Sequence, residues 1–318
     1  MKITKPGRFR RVPPAIFPPL LGMMSLALDW RRAAVTFGVP SQVGQLLAGA
    51  VTTLALLALV SYGAKLARRA AVLAEDLRIL PGRAGCAAGV VVIYLLAAVF
   101  APLSPVTGKV VLVAAFMAQV ALWTRMIPVM TGTPGQGRVT PVWHISFVGP
   151  IVGAMAALSL GWDALARLLW FPCAALAVFI WTVSLRQAMS ERVPAPLRPI
   201  LAIHLAPVAL LGTVAHGLGM TGIAHGMGIV ALAILLVAAV GWRWLTAAGF
   251  TPLWGAFTFP LAASAGLMLL LATEVSIWRY PAALVLVVAT LLVPMILYRI
   301  WRAWADGNLA VKSNAAEA

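Results

Sequence analysis

The feature that most constrains this sequence is a succession of apolar runs, each about as long as a membrane is thick. A helix needs about 20 apolar residues to cross a hydrocarbon core of ~30 Å. Ten runs of roughly that length follow one another, at residues 14–30, 43–62, 85–101, 110–130, 143–161, 164–185, 199–216, 222–242, 252–272 and 281–300. We therefore predict an all-α polytopic membrane protein with ten transmembrane helices.

Composition agrees with a membrane protein and argues against a nucleic-acid partner. Apolar residues make up 62% of the chain and charged residues 10%, whereas soluble domains average about 45–50% and about 25%. The net charge of +16 would suit nucleic acid. However, Lys and Arg occur in short segments between the apolar runs, without a basic helix face or interleaved aromatics. Membrane lipids are the expected partners, and nucleic acid is not.

The distribution of basic residues predicts the orientation of the chain. With the first segment inside, 19 of the 24 Lys and Arg residues fall on the cytoplasmic side. Cytoplasmic loops of membrane proteins carry this excess. We therefore predict an integral membrane protein with both termini cytoplasmic. Residues 1–13 would form a basic tail, 14–300 the ten-helix domain, and 301–318 a second tail.

The spacing of the runs indicates five helical hairpins. The odd-numbered spans begin near residues 14, 85, 143, 199 and 252, and Pro150, Pro207 and Pro260 each lie 7–8 residues into their span. Proline removes a helical hydrogen bond, which the membrane tolerates where neighbours or a wet cavity satisfy the freed group. We predict an inner ring of mostly proline-kinked odd helices around a central pore, with the even helices outside. The alternative is the general enrichment of proline in membrane helices.

The acidic residues limit what such a cavity could carry. Asp29, Asp163 and Glu274 sit at predicted span ends, and the other acids lie in loops or tails. Proton and cation pathways usually need acidic or oxygen-rich groups inside the membrane. An anion instead needs positive potential, which helix N-termini and basic loops supply. Carbonyls freed by proline would repel an anion if they faced the lumen.

Residues for catalysis or cofactor binding are not evident in the sequence. Cys86 and Cys173 lie singly in apolar runs, which favours small buried side chains over a metal or redox site. His216 and His225 flank a glycine-rich turn without an adjacent acid. An integral-membrane enzyme, the alternative from another class, would need such groups to converge. We predict no enzyme activity, no catalytic residue, no cofactor and no metal.

Four short motifs at the proline sites carry a family resemblance. They are Trp254–Leu261 (WGAFTFPL), Ile203–Pro207 (IHLAP), Phe147–Gly153 (FVGPIVG) after Thr140–Pro141, and Phe17–Pro19 followed by Gly22. Through them the sequence resembles the tellurite-resistance/dicarboxylate transporter family, which includes the TehA and SLAC-type anion channels. The resemblance extends over essentially the whole chain. Two departures are the lack of a central proline in span 3 and Ser146, where relatives often have another proline.

The resemblance implies a homotrimer in which each protomer has its own pore for small inorganic anions such as chloride or nitrate. It implies a bacterial plasma-membrane location and a link to tellurite resistance. The family also contains carriers for dicarboxylates or sulfite, so a carrier remains an alternative. The pore gate would be Phe259, and the lining or kink candidates are Phe17, Pro19, Phe147, Pro150, His204, Pro207, Phe257 and Pro260.

Two of these candidates have a second interpretation. Phe259 could be a core aromatic packed between helices instead of a gate. His204 lies three residues before Pro207 and could tune the field in the pore. It could equally be a hydrogen-bonded histidine near the cytoplasmic end.

Overall fold

The computed structural model describes residues 9–318, and helices dominate them. The long helices are α1 Phe17–Phe37, α2 Ser41–Arg68, α4 Leu80–Phe100, α5 Pro105–Gly132, α6 Pro150–Ser159, α7 Asp163–Ser190, α8 Leu205–Gly217, α9 Thr221–Val240, α11 Gly255–Glu274 and α12 Arg279–Ala305. The short helices are α3 Val72–Arg78, α10 Trp242–Leu245 and α13 Asn308–Lys312. This part of the chain contains no β-strand, which confirms the all-α class.

Eight helical segments among the described residues are long and apolar enough to cross a membrane. They correspond to predicted spans 2, 3, 4, 6, 7, 8, 9 and 10. Span 5 is a shorter apolar segment, His144–Ser159, and span 1 is α1, which carries several charges. The chain is therefore a polytopic membrane protein, whereas the count of ten spans stays a prediction.

Burial separates the spans into two concentric rings. In the odd segments Leu80–Phe100 and Pro252–Glu274, 83% of the residues in the most apolar 18-residue stretch are buried. In the even helices α2, α5, α7 and α9, the buried share is between 17% and 28%. The inner elements contact one another in the closed order α1, α4, α6, α8, α11 and back to α1. The even helices cover this ring and turn apolar side chains outward, as lipid-facing helices do.

The first inner helix is longer than predicted. Span 1 was expected to end at residue 30, but α1 continues to Phe37 and is capped by Gly38 with a φ of 73°. Asp29 therefore lies inside the helix, and its side chain is fully buried against Arg32. The prediction that no acidic residue lies inside a span is wrong at Asp29. A charged pair facing the inner ring lowers the hydropathy of the run without ending the helix.

The inner spans depart from α geometry near their starts. Short 3₁₀ segments, Pro14–Ile16, Ala195–His204 and Pro252–Trp254, precede α1, α8 and α11. A π-helical turn, His144–Val148, precedes α6. The fifth inner helix, α4, runs without interruption and has its proline in the first turn. Span 3, which lacks a central proline, is thus one continuous helix.

Proline content alone does not identify the inner ring. The outer helices α5, α7 and α12 also contain prolines, at Pro128, Pro172 and Pro294. Burial is the property that distinguishes inner from outer helices, because an outer helix needs only to be apolar on its lipid side.

A buried ion pair holds together the end of the ring at which the inner helices begin. Lys65 Nζ lies 2.8 Å from Asp76 Oδ2, and both side chains are completely inaccessible to solvent. Lys65 also donates to the Val12 carbonyl at 3.0 Å, and Tyr62 donates its hydroxyl to Asp76 at 3.0 Å. The Ala316 amide donates to the other oxygen of Asp76. We call this end the basic face and the opposite end the far face.

Candidate functional site

A cavity of about 70 Å³ lies on the axis of the inner ring. All five inner segments contribute to its wall, and Leu21, Val91, Val152, Leu210 and Phe259 are among the lining residues. Such a volume holds a few water molecules or one small ion. The wall is almost entirely apolar, with His144 as its titratable side chain.

Three of the predicted pore residues line this cavity, namely Pro207, Phe259 and Pro260. Phe259 and Pro260 are the lining residues of α11 that lie farthest from the basic face. The Phe259 side chain is only 7% exposed. The Phe259 ring is therefore a largely buried part of the cavity wall at the depth of the proline.

The other predicted aromatics lie outside the lumen. Phe257 packs with its ring centre 5.1 Å from Trp242 and 5.7 Å from Trp254. Phe147 packs 5.1 Å from Trp143, and Phe17 lies 5.8 Å from Tyr62. Two of the predicted prolines, Pro19 and Pro150, also lie outside the cavity wall.

Backbone carbonyls at the breaks in the inner ring receive hydrogen bonds from side chains of the outer ring. The Ser146 carbonyl accepts from Trp123 Nε1 at 2.8 Å and from Gln119 Nε2 at 3.3 Å. The His204 carbonyl accepts from Trp181 Nε1 at 3.2 Å. Because the donors stand on α5 and α7, these carbonyls point away from the lumen.

Similar contacts recur elsewhere around the ring. Trp301 Nε1 on α12 donates to the Ile16 carbonyl at 3.4 Å. Thr258 Oγ1, on α11, lies 3.0 Å from the Pro18 carbonyl. A Cβ on Gly22 would overlap Thr258. Glycine at position 22 therefore permits this close approach of α1 and α11. Sequence reasoning missed all these donors, since their partners lie on other spans.

Residues of the first turns of α6 and α8 line the cavity beside those carbonyls. Gly149 and Ile151, at the start of α6, line it, as do Ala206 and Pro207 in the first turn of α8. The N-terminal end of a helix carries partial positive charge. The wall therefore combines apolar side chains with the N-terminal turns of two helices, while the carbonyl groups of Ser146 and His204 are hydrogen-bonded outside it.

His204 forms a hydrogen-bonded pair with His144. Their ring nitrogens, His144 Nε2 and His204 Nδ1, are 3.0 Å apart. His144 lines the axial cavity, whereas His204 lines a second cavity of about 760 Å³ between α7 and residues 193–204. The pair stands between the two spaces. Of the two roles left open for His204, the structure shows the hydrogen bond.

The two histidines that flank the glycine-rich turn do have an acidic partner, contrary to the prediction. Glu274, at the end of α11, lies 3.1 Å from Nε2 of both His216 and His225. Trp278 Nε1 donates to His225 Nδ1 at 3.0 Å. An indole can only donate, so Nδ1 is unprotonated and Nε2 carries the proton directed at Glu274. His225 Nε2 is therefore not free to bind a metal, and the cluster ties α8, α9 and α11 together at the far face.

The fold and the site together define a class of protein. Buried helices surround an axial apolar cavity, and apolar helices surround those in turn, which is the architecture of a membrane channel or transporter.

Comparison with known proteins identifies the family. Residues 11–301 match the family model SLAC1, voltage-dependent anion channel, and the chain belongs to this family. Members of the family are channels or transporters and not enzymes. The resemblance found in the motifs is thereby confirmed. Among curated proteins, the guard cell S-type anion channel SLAC1 of Arabidopsis thaliana is 29% identical over 126 residues, which is 38% of this chain and 22% of the relative's length. The chain thus spans about a fifth of that relative.

Proposed function

We propose that this protein is an anion-selective channel for small monovalent anions such as chloride and nitrate, and that Phe259 closes it in the conformation described. The observation that carries the proposal is the axial cavity, to which all five inner segments contribute and whose wall includes Phe259 beside Pro260. Family membership supports anion transport as the activity.

Electrostatics support an anion over a cation. The first turns of α6 and α8, where a helix carries partial positive charge, line the cavity, and carbonyls at the same breaks are hydrogen-bonded to outer tryptophans. A cation site would need those oxygens in the lumen. Basic residues around the mouth raise the local anion concentration.

Ion replacement in proteoliposomes tests the proposal. We expect the reversal potential to follow the anion gradient, with weak discrimination between chloride and nitrate, because the wall offers few hydrogen bonds specific for either ion. A reversal potential that follows K⁺ or Na⁺ would contradict anion selectivity. Strict one-for-one exchange without net current would instead indicate the carrier for dicarboxylates or sulfite.

The orientation in the membrane is part of the proposal. The bias of basic residues places the basic face, and both termini, on the cytoplasmic side. Reporter fusions after Lys312 and at 40–41 should then report opposite sides of the membrane. Equal signals would show that the number of spans between them is wrong.

The homotrimer, the bacterial plasma membrane and the link to tellurite resistance remain predictions that rest on the resemblance. Crosslinking in native membranes would test the trimer. Growth of expressing and deleted strains on tellurite would test the resistance.

A further inference from the structure

One guanidinium group reaches into the far half of the ring, beyond Phe259. Arg32, on α1, places Nη1 3.3 Å from Asp29 Oδ1 and Nη2 3.7 Å from Met155 Sδ on α6. In the ring order α4 separates α1 from α6 on one side, and α8 and α11 separate them on the other. The contact between Arg32 and Met155 therefore crosses the lumen.

Helical register supports this placement. Arg32 lies eleven residues after the cavity residue Leu21, and Gly266 lies seven residues after Phe259. Both intervals return to nearly the same helix face at about 3.6 residues per turn. A Cβ on Gly266 would collide with Arg32 and Asp29, so this pair occupies the space beside α11. At 1.5 Å per residue, it lies about 10 Å beyond Phe259.

Arg32 has donors to spare. Its side chain is 25% exposed, whereas that of Asp29 is not exposed at all. One terminal nitrogen bonds to the carboxylate, and the other faces a thioether sulfur, which is a weak acceptor. Within residues 9–318, Nε has no partner. An anion in the lumen could therefore replace Met155 at Nη2 without breaking the bond between Arg32 and Asp29.

Asp29 limits how strongly this group can attract an anion. It is completely buried, and its Oδ2 has no hydrogen-bond partner in the described chain. In its ionised form, the carboxylate opposes an anion at Arg32. Conduction requires sites that are favourable enough to enter and weak enough to leave, and a guanidinium with an adjacent carboxylate satisfies both conditions.

We propose that Arg32 binds the permeating monovalent anion in the far half of the lumen, and that ionised Asp29 weakens this site so that the anion is released. The proposal rests on the proposed function, because it assigns a specificity-determining residue to the same pathway.

Concentration-dependent currents in a Phe259→Ala background test the site. Arg32→Gln should raise the half-saturating chloride concentration about tenfold, as expected for loss of a charged hydrogen bond, and leave the saturating current unchanged. Arg32→Lys should restore most of the affinity. Asp29→Asn should act in the opposite direction, lowering both the half-saturating concentration and the maximal current, because the anion leaves more slowly.

The matched control is the neighbouring arginine. Arg31 donates to the Val99 carbonyl at 3.3 Å and does not take part in the Asp29 pair. Arg31→Gln should leave the half-saturating concentration unchanged. If Arg32→Gln behaves like Arg31→Gln, or if Asp29→Asn weakens binding, Arg32 only holds helices together and the proposal is overturned.

A binding measurement separates this inference from the proposed function. Nitrate should raise the melting temperature of the wild-type protein in detergent, since a ligand that binds only the folded state stabilises it. The increase in melting temperature caused by nitrate should vanish in Arg32→Gln and persist in Arg32→Lys. Absence of anion current in Phe259→Ala would contradict the channel, whereas nitrate stabilisation independent of Arg32 would contradict the site. If Arg32→Gln does not fold, the measurements on Arg32→Lys and Asp29→Asn decide whether Arg32 binds the anion.

Discussion

Replacing Phe259 with alanine is expected to raise anion conductance sharply while the protein still folds. The phenyl ring of Phe259 lines the axial cavity at the level of Pro260, where the surrounding wall is apolar. A bulky apolar side chain at a constriction stops ions by excluding water, so its removal opens a wet path. Conductance of reconstituted Phe259→Ala, compared with wild type at equal protein density, measures the effect.

Phe257 provides the matched control. It is as buried as Phe259, at 7% exposure, but it packs against Trp242 and Trp254 outside the cavity. Phe257→Ala should cost about 3–5 kcal/mol of stability, as for other buried phenylalanines, without adding current. If Phe259→Ala lowered stability in the same way and carried no current, Phe259 would be an ordinary core residue.

Breaking the buried ion pair of the basic face should cause a large loss of stability. Asp76→Asn leaves the ammonium group of Lys65 buried without its carboxylate. Removal of one partner from a buried pair costs about 3–5 kcal/mol, because the remaining charge is uncompensated. Thermal unfolding in detergent should show a large decrease in melting temperature, and the contacts of Asp76 with Tyr62 and Ala316 would be lost or weakened with it.

The preceding residue gives a control of the same chemistry. Glu75 pairs with Arg69 at 2.7 Å, but the two side chains are 38% and 43% exposed. Exposed pairs contribute about 0–1 kcal/mol, so Glu75→Gln should barely change the melting temperature. Equal effects of Glu75→Gln and Asp76→Asn would show that burial does not decide the strength of these pairs.

Local patterns in the sequence predict much of this fold. Apolar runs of membrane-spanning length identify the helices, and their spacing identifies the hairpins. The family resemblance, carried by the motif around Pro260, singles out Phe259, which lines the cavity. These features depend on interactions within a single helix or on the thickness of the membrane, so they leave a local signal.

The features that sequence reasoning missed depend on distant segments. Hydropathy drops at Asp29, which predicts a span end there. Its pair with Arg32 is a local contact three residues along α1, but the approach of Gly266 becomes evident only when α11 packs on α1. Likewise, Glu274 lies far in sequence from His216 and His225. Local periodicity carries no information about such pairs.

The tryptophan donors of the outer ring bear on how the chain is inserted during synthesis. Trp123 precedes its acceptor Ser146 in sequence, and Trp181 precedes His204. Because synthesis proceeds from the amino terminus, each of these donors is available when its broken span arrives. The first span is the exception, since the tryptophan donor to its Ile16 carbonyl is Trp301, on the last long helix. This carbonyl of the first span receives its donor only after almost the entire chain has been synthesised. The inner ring therefore closes only when the last hairpins have entered the bilayer.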